Sequence, residues 1–195
     1  MLKKFWIFVL LGGMAAAQEP SPSEEEIGQV QTYLTPEEAR QRIFPEATSF
    51  ARQVKPIPAA AKEELAHRLG RAFAEDSLEV YIAFGQDRQL LGYAVISDEI
   101  GKYRPITFMV GITPDFTVRE VAVLVFRESR GGEVRRPRFL SQYRGKSARD
   151  PLRLNRDIVN ISGATLSVRA LNFGVKKVLV LVQALYGQGP PAVPP

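Results

Sequence analysis

The chain predicts an α+β protein: an antiparallel β-sheet packed against a C-terminal helix, with a small N-terminal helical region. Three observations predict it. Residues 77–126 hold four runs rich in β-branched and aromatic residues, separated by turn chemistry. Residues 166–186 carry apolar side chains at 171, 175, 178, 179, 182, 185 and 186, the spacing of one helical face. Upstream, "LTPEEARQRIF" and "AAAKEELAHRLGRAF" read as helices.

The first helix opens on Thr35 as N-cap, Pro36 at its first position and Glu37 and Glu38 in its first turn. A side-chain oxygen, a fixed φ and negative charge all favour a helix start. The second places Ala61, Leu65, Leu69 and Phe73 four residues apart. "LEVYIAFG" and "QLLGYAVIS" are strands broken by "QDR". "ITFMVGIT" and "VREVAVLVF" follow, joined by the turn "PDFT". In the last of these Val121, Val123 and Val125 alternate, which predicts one shared face. An Arg-rich connection, "RESRGGEVRRP", leads to a short helix, "RFLSQYRG", and then to the polar loop "KSARDPLRLNRDIVN". The terminal segment contains "VLVLV", which alone could be a strand. Its length and 3–4 periodicity favour a helix, with Arg169, Asn172, Lys176 and Gln183 off the apolar face.

The ends read differently. "MLKKFWIFVLLGGMAAAQEP" has Lys3 and Lys4, an apolar stretch, then Ala15-Ala16-Ala17. That is the pattern of a secretory signal peptide, and its apolar run of about 13 residues is short for a membrane span. The expected organisation is a signal peptide over 1–17, a flexible linker over 18–32, the helical region over 33–75, one domain over 76–187 and a disordered Pro/Gly tail over 188–195. The expected location is outside the cytoplasm, in the periplasm or on the outer face of the cytoplasmic membrane. Retention of the signal as an anchor is the other reading. Net charge is +5, falling to +3 without the two signal lysines. That mild excess is no argument for nucleic acid.

The 195 residues contain no cysteine. This excludes disulfides, thiolate-bound iron–sulfur clusters and Cys-ligated zinc. His67 is the only histidine, and one histidine without cysteine makes a poor transition-metal site. On a helix beside Glu63, Glu64 and Arg68 it reads as a surface or half-buried residue. No G-x-S-x-G motif marks a hydrolase nucleophile.

The stretch "NISGATLSVRAL" carries the chemistry. Thr165 lies at or just before the first turn of the terminal helix. Helix-start N–H groups lack internal partners and carry partial positive charge, so they suit a phosphate. Gly163 allows close backbone approach and Ala164 adds almost no bulk. A plain helix start explains the same four letters.

The surroundings add to this. "SGATLSVRAL", read with "GKYRPITFMVGITPDFTVREVAVLVFRESRGGE" and "RFLSQYRGK", resembles the FMN-binding domain family over residues 78–186. That family includes the periplasmic flavin subunits of sodium-pumping NADH:quinone reductase and of the Rnf electron-transport complex. The resemblance implies FMN held covalently, through a phosphoester on Thr165 installed by a magnesium-dependent flavin transferase with FAD as donor. It implies that Ser162, Gly163 and Ala164 form the acceptor motif with Thr165, flanked by Leu166 and Ser167. It places Glu128, Ser129 and Gly131 in an E-S/T-x-G element near the flavin ring. It implies electron transfer with a membrane redox complex or quinone-linked reductase, by a carrier domain rather than a stand-alone enzyme. Two positions depart from the pattern: Arg130 stands where proline is common, and Val159 where many members have Asp. Asp157, two residues earlier, could substitute.

Two features admit more than one reading. Residues 127–156 hold nine arginines and Lys146 against Glu128, Glu133 and Asp150. This reads as a solvated basic face, or as a surface for the flavin phosphate or an acidic redox partner. Phe139, Tyr143 and Phe173 read as core residues or as flanks of a flavin ring. Apart from covalent FMN, the sequence fits a module binding FMN or another phosphate ligand non-covalently, or a flavin-free accessory subunit of a redox complex.

Overall fold

The computed structural model describes residues 28–188. The signal-peptide reading, most of the linker and the tail beyond 188 lie outside them. The two predicted N-terminal helices are α1, Pro36–Ile43, and α2, Ala59–Leu69, the second ending on left-handed Gly70 and leaving Phe73 outside the helix. The strands are β1, Gln31–Thr32; β2, Ser49–Pro56; β3, Ser77–Phe84; β4, Leu90–Ile100; β5, Pro105–Ile112; and β6, Val118–Phe126. A one-turn helix, α3, Pro137–Leu140, runs into a 3-10 turn, Ser141–Tyr143. The long helix α4 spans Thr165–Tyr186.

The strands form one antiparallel sheet in the order β1-β6-β5-β4-β3-β2. From β2 to β6 it is a meander, so each strand pairs with its successor. Thr35 caps α1 as the sequence predicts. Its hydroxyl accepts from the Glu38 N–H, and the Glu38 carboxylate accepts from the Thr35 N–H at 2.7 Å.

Two helices line one face of the sheet and one covers the other. On the first face α4 and Leu65 of α2 pack against Val80, Ile82, Val95, Phe108, Val110 and Val121. On the second, Ala39, Ile43 and Phe44 from α1 and its end pack against Ala83, Ala94, Met109, Ala122 and Leu124. The central strands are therefore largely buried on both sides, which accounts for near-continuous apolar runs such as "VAVLVF" in β6.

Three features differ from the expectations. Between α1 and α2 the chain returns as β2 to pair with β3 over its full length, from Ser49↔Phe84 to Pro56↔Ser77. Its sequence, "SFARQVKP", has one exposed face and lacks a strong apolar signal. In β6 the alternation breaks. Val121 and Val123 face α4, but Val125 joins the α1 face. A bulge puts Thr107 opposite Val125 and Phe108 opposite Val123, so Leu124 is the extra residue and the faces swap. Third, Asn172 is buried within α4, where it accepts from the Tyr143 hydroxyl at 2.6 Å. The connection after β6 folds over α4, so the helix is covered beyond its sheet-facing stripe.

Candidate functional site

Thr165 is the first residue of α4. The residue before it, Ala164, occupies the N-cap with no side-chain hydrogen bond to the helix. The first-turn N–H groups thus have neither an intrahelical partner nor a capping side chain. The turn leading in is closed by Ala164 N–H donating to Ile161 C=O at 3.0 Å. Gly163 sits in it at φ +80°, with nothing within 4 Å of where a Cβ would be. Ser162, Gly163 and Leu166 are exposed, Thr165 is half-buried, and Ala164 and Ser167 are buried.

The upstream element reaches this turn through one residue. Gly131, at φ +91°, lies so close that a Cβ there would collide with Ser167 Oγ. Its neighbours do other things. Glu128 is buried, and its Oε1 accepts from the N–H groups of Tyr103 at 2.8 Å and Arg104 at 3.0 Å. That carboxylate ties the β4–β5 turn. Glu128 and Ser129 also border a small polar cavity of about 220 Å³, with Glu133, Arg135 and Arg136 among its walls.

A larger cavity, about 460 Å³, is lined by Phe139, Val159, Ile161, Arg136, Arg138, Glu133, Gln142 and Asn160. It is mainly apolar with a few polar groups, the usual make-up of an organic ligand site. Asn160 links it to the helix start, donating from Nδ2 to Thr165 Oγ1 at 3.0 Å. Sequence reasoning did not single out Asn160, Gln142, Arg136 or Arg138. An amide five residues before the threonine was the one local signal.

Of the three aromatic candidates, Phe139 lines this cavity. Tyr143 is wholly buried and bonded to Asn172. Burial pushes its hydroxyl well above the usual tyrosine range. Phe173 lies elsewhere, under the Arg71 guanidinium and beside Lys177.

Asp157, the candidate to substitute for a carboxylate at 159, is engaged within its own loop. Its two oxygens accept from Arg153 N–H at 2.7 Å and Leu152 N–H at 3.1 Å, and it pairs with Lys146 at 3.4 Å. It holds the loop before the motif. Asp150 does similar work. The Ser147 N–H and hydroxyl, both at 2.8 Å, hold its carboxyl below the usual range. Lys176 of α4 donates to the carbonyls of Ala148 and Asp150 and fixes the loop to the helix. Val159 is exposed, and its N–H donates to Gln142 Oε1 at 2.7 Å.

The arginines of 127–156 divide. Arg127 donates to Pro105 C=O and Thr107, and Arg144 pairs with Glu120. Arg136 and Arg138 are exposed at the cavity. His67 is exposed. Among the described residues no cluster of three or more metal-ligating side chains occurs, and no helix is long and apolar enough to cross a membrane.

Comparison with known proteins gives the class first. Residues 101–180, from the β4–β5 turn into α4, match the model of the FMN-binding domain family. As a fold, the chain is similar to the crystal structure of Shewanella oneidensis NqrC, with a TM-score of 0.52 and 18% identity over 76% of this chain and 86% of that one. No curated protein matches it.

Proposed function

We propose that the protein is an exported flavoprotein that carries FMN through a phosphoester on Thr165 and passes electrons outside the cytoplasm. The observation that carries this reading is the start of α4. Half-buried Thr165 starts an uncapped helix terminus, and Asn160, which donates to its Oγ1, lines a cavity of about 460 Å³. The residues fit the group. The first-turn N–H groups and helix dipole would stabilise the one remaining charge of a phosphodiester. Gly163 leaves open space at the turn. Phe139, Val159 and Ile161 offer apolar surface, and Arg136 and Arg138 offer positive charge. When bound, the flavin ring supplies the electron chemistry, and the chain tunes it through burial and hydrogen bonds.

A flavin transferase drawing on FAD would modify Thr165, and a membrane redox complex or quinone-linked reductase would exchange electrons with the carrier. A covalent tether suits an exported carrier, because lost FMN is not recaptured from a dilute exterior. One observation favours a second reading, non-covalent FMN binding: Val159 replaces the family's Asp, and Asp157 is committed to its own loop.

The test is co-expression with a flavin transferase, followed by denaturing electrophoresis. Flavin fluorescence is expected to travel with the polypeptide and to vanish in Thr165→Ala. A colourless band sinks covalent attachment. A band still fluorescent in Thr165→Ala sinks the assigned residue. A yellow native protein that loses its flavin on denaturation supports the second reading.

A further inference from the structure

We infer that Asn160 is the positioning residue for modification of Thr165. The inference rests on the reading of Thr165 as flavin acceptor.

A threonine at a helix start tends to turn its hydroxyl toward nearby backbone groups. Here Asn160 Nδ2 donates to Oγ1 at 3.0 Å, which holds the oxygen out of that competition. The hydroxyl's remaining lone pair and its proton are left free. Turned about its last bond, the same amide would accept the hydroxyl proton through Oδ1. In both orientations Oγ1 is held in one place.

Asn160 is itself held. The preceding residue's N–H is tied to Gln142, and Asp157 closes the loop three residues upstream. Its Oδ1 is buried without a hydrogen-bond partner among the described residues. Such a group is rarely kept in a fold without a use. Asn160 also lines the cavity, so it touches both the space for a ligand and the atom to be modified.

The step is a phosphoryl-group transfer with no change in oxidation state. Thr165 Oγ bonds to the flavin-side phosphorus of FAD, the pyrophosphate P–O bond breaks and AMP leaves. The hydroxyl proton passes to a base of the transferase, because an amide cannot take it. The role of Asn160 is orientation of the nucleophile, which governs rate steeply.

The experiment follows the initial rate of covalent flavin incorporation into purified full-length chain, with transferase, FAD and Mg²⁺, read by fluorescence of the denatured protein. Asn160→Ala is expected to slow incorporation about tenfold or more, with a melting temperature within about 3 °C of wild type. Asn160→Asp, which keeps a hydrogen bond to Oγ1, is expected to recover most of the rate. Should Asn160→Ala not fold, Asn160→Leu replaces it as a similar shape without the amide. Incorporation at the wild-type rate in a folded Ala or Leu variant overturns the inference, as does an Asp variant no faster than they are. Wild-type chain that takes up no flavin overturns the underlying reading instead.

Discussion

Gly131 and Gly163 flank the start of α4 and share a left-handed backbone, yet for different reasons. At Gly163 a side chain would meet open space, so the only cost of alanine is the positive φ. At Gly131 a side chain would strike Ser167 Oγ in the second place. Gly163→Ala should therefore destabilise by about 1 kcal/mol, and Gly131→Ala by about 2–4 kcal/mol once strain and clash are combined. Urea titration of both variants checks the order. Gly131 was legible in the sequence as part of the E-S-R-G element, but its role was not. Contact with Ser167, 36 positions later, depends on the connection folding back over α4. Glu128 shows the same limit: its letter fits the family element, while its carboxylate is spent on the β4–β5 turn.

At the scale of elements, α4 organises the domain. Its apolar stripe was readable from spacing because a helix repeats locally. Its buried polar groups were not. Lys177, also within the helix, is buried, and its ammonium bonds both Glu75 and, at 2.5 Å, buried Glu99 of β4. Glu99 further accepts from Ser97 at 3.3 Å. Whether this group gains stability over an apolar replacement is a separate matter from what happens when it is broken. Lys177→Ala leaves Glu99 buried without its counter-charge, and should cost about 3–5 kcal/mol in chemical denaturation. A double replacement, Lys177→Leu with Glu99→Leu, should cost much less. β2 is the opposite case. It pairs fully with β3 although its letters are weakly strand-like, because the open edge of β3 supplies the ladder.

At the scale of the whole molecule, burial on both faces of the sheet governs response to pH. Tyr186, at the end of α4, is packed against Tyr93, and its hydroxyl donates to Gln53 on β2 at 3.2 Å. Burial, with a smaller contribution from Tyr93, pushes its pKa from the ordinary 10 up to about 12. A pKa raised on folding gives stability that is full below pH 10 and is lost as pH rises through about 12. The melting temperature should therefore fall steeply across that window. Burial shifts Tyr93 and Tyr143 in the same direction. Tyr186→Phe should flatten part of the fall, at a cost of about 1 kcal/mol near neutrality for the lost hydrogen bond. Thermal melts from pH 8 to pH 12 check both.

By itself the sequence determined what depends on neighbours along the chain: the N-cap at Thr35, the strands from 77 to 126, the length of α4 and the small residues before Thr165. Those follow from backbone preference and periodicity, which act over a few residues. Tertiary structure decided which face Val125 takes, why Asn172 and Lys177 are buried, how Gly131 meets Ser167 and how Asn160 holds the Thr165 hydroxyl within a loop anchored by Asp157 and Gln142. Each depends on the pairing register, or on packing between segments brought together only when the sheet, α4 and the covering loop close on one another. No local pattern carries that information.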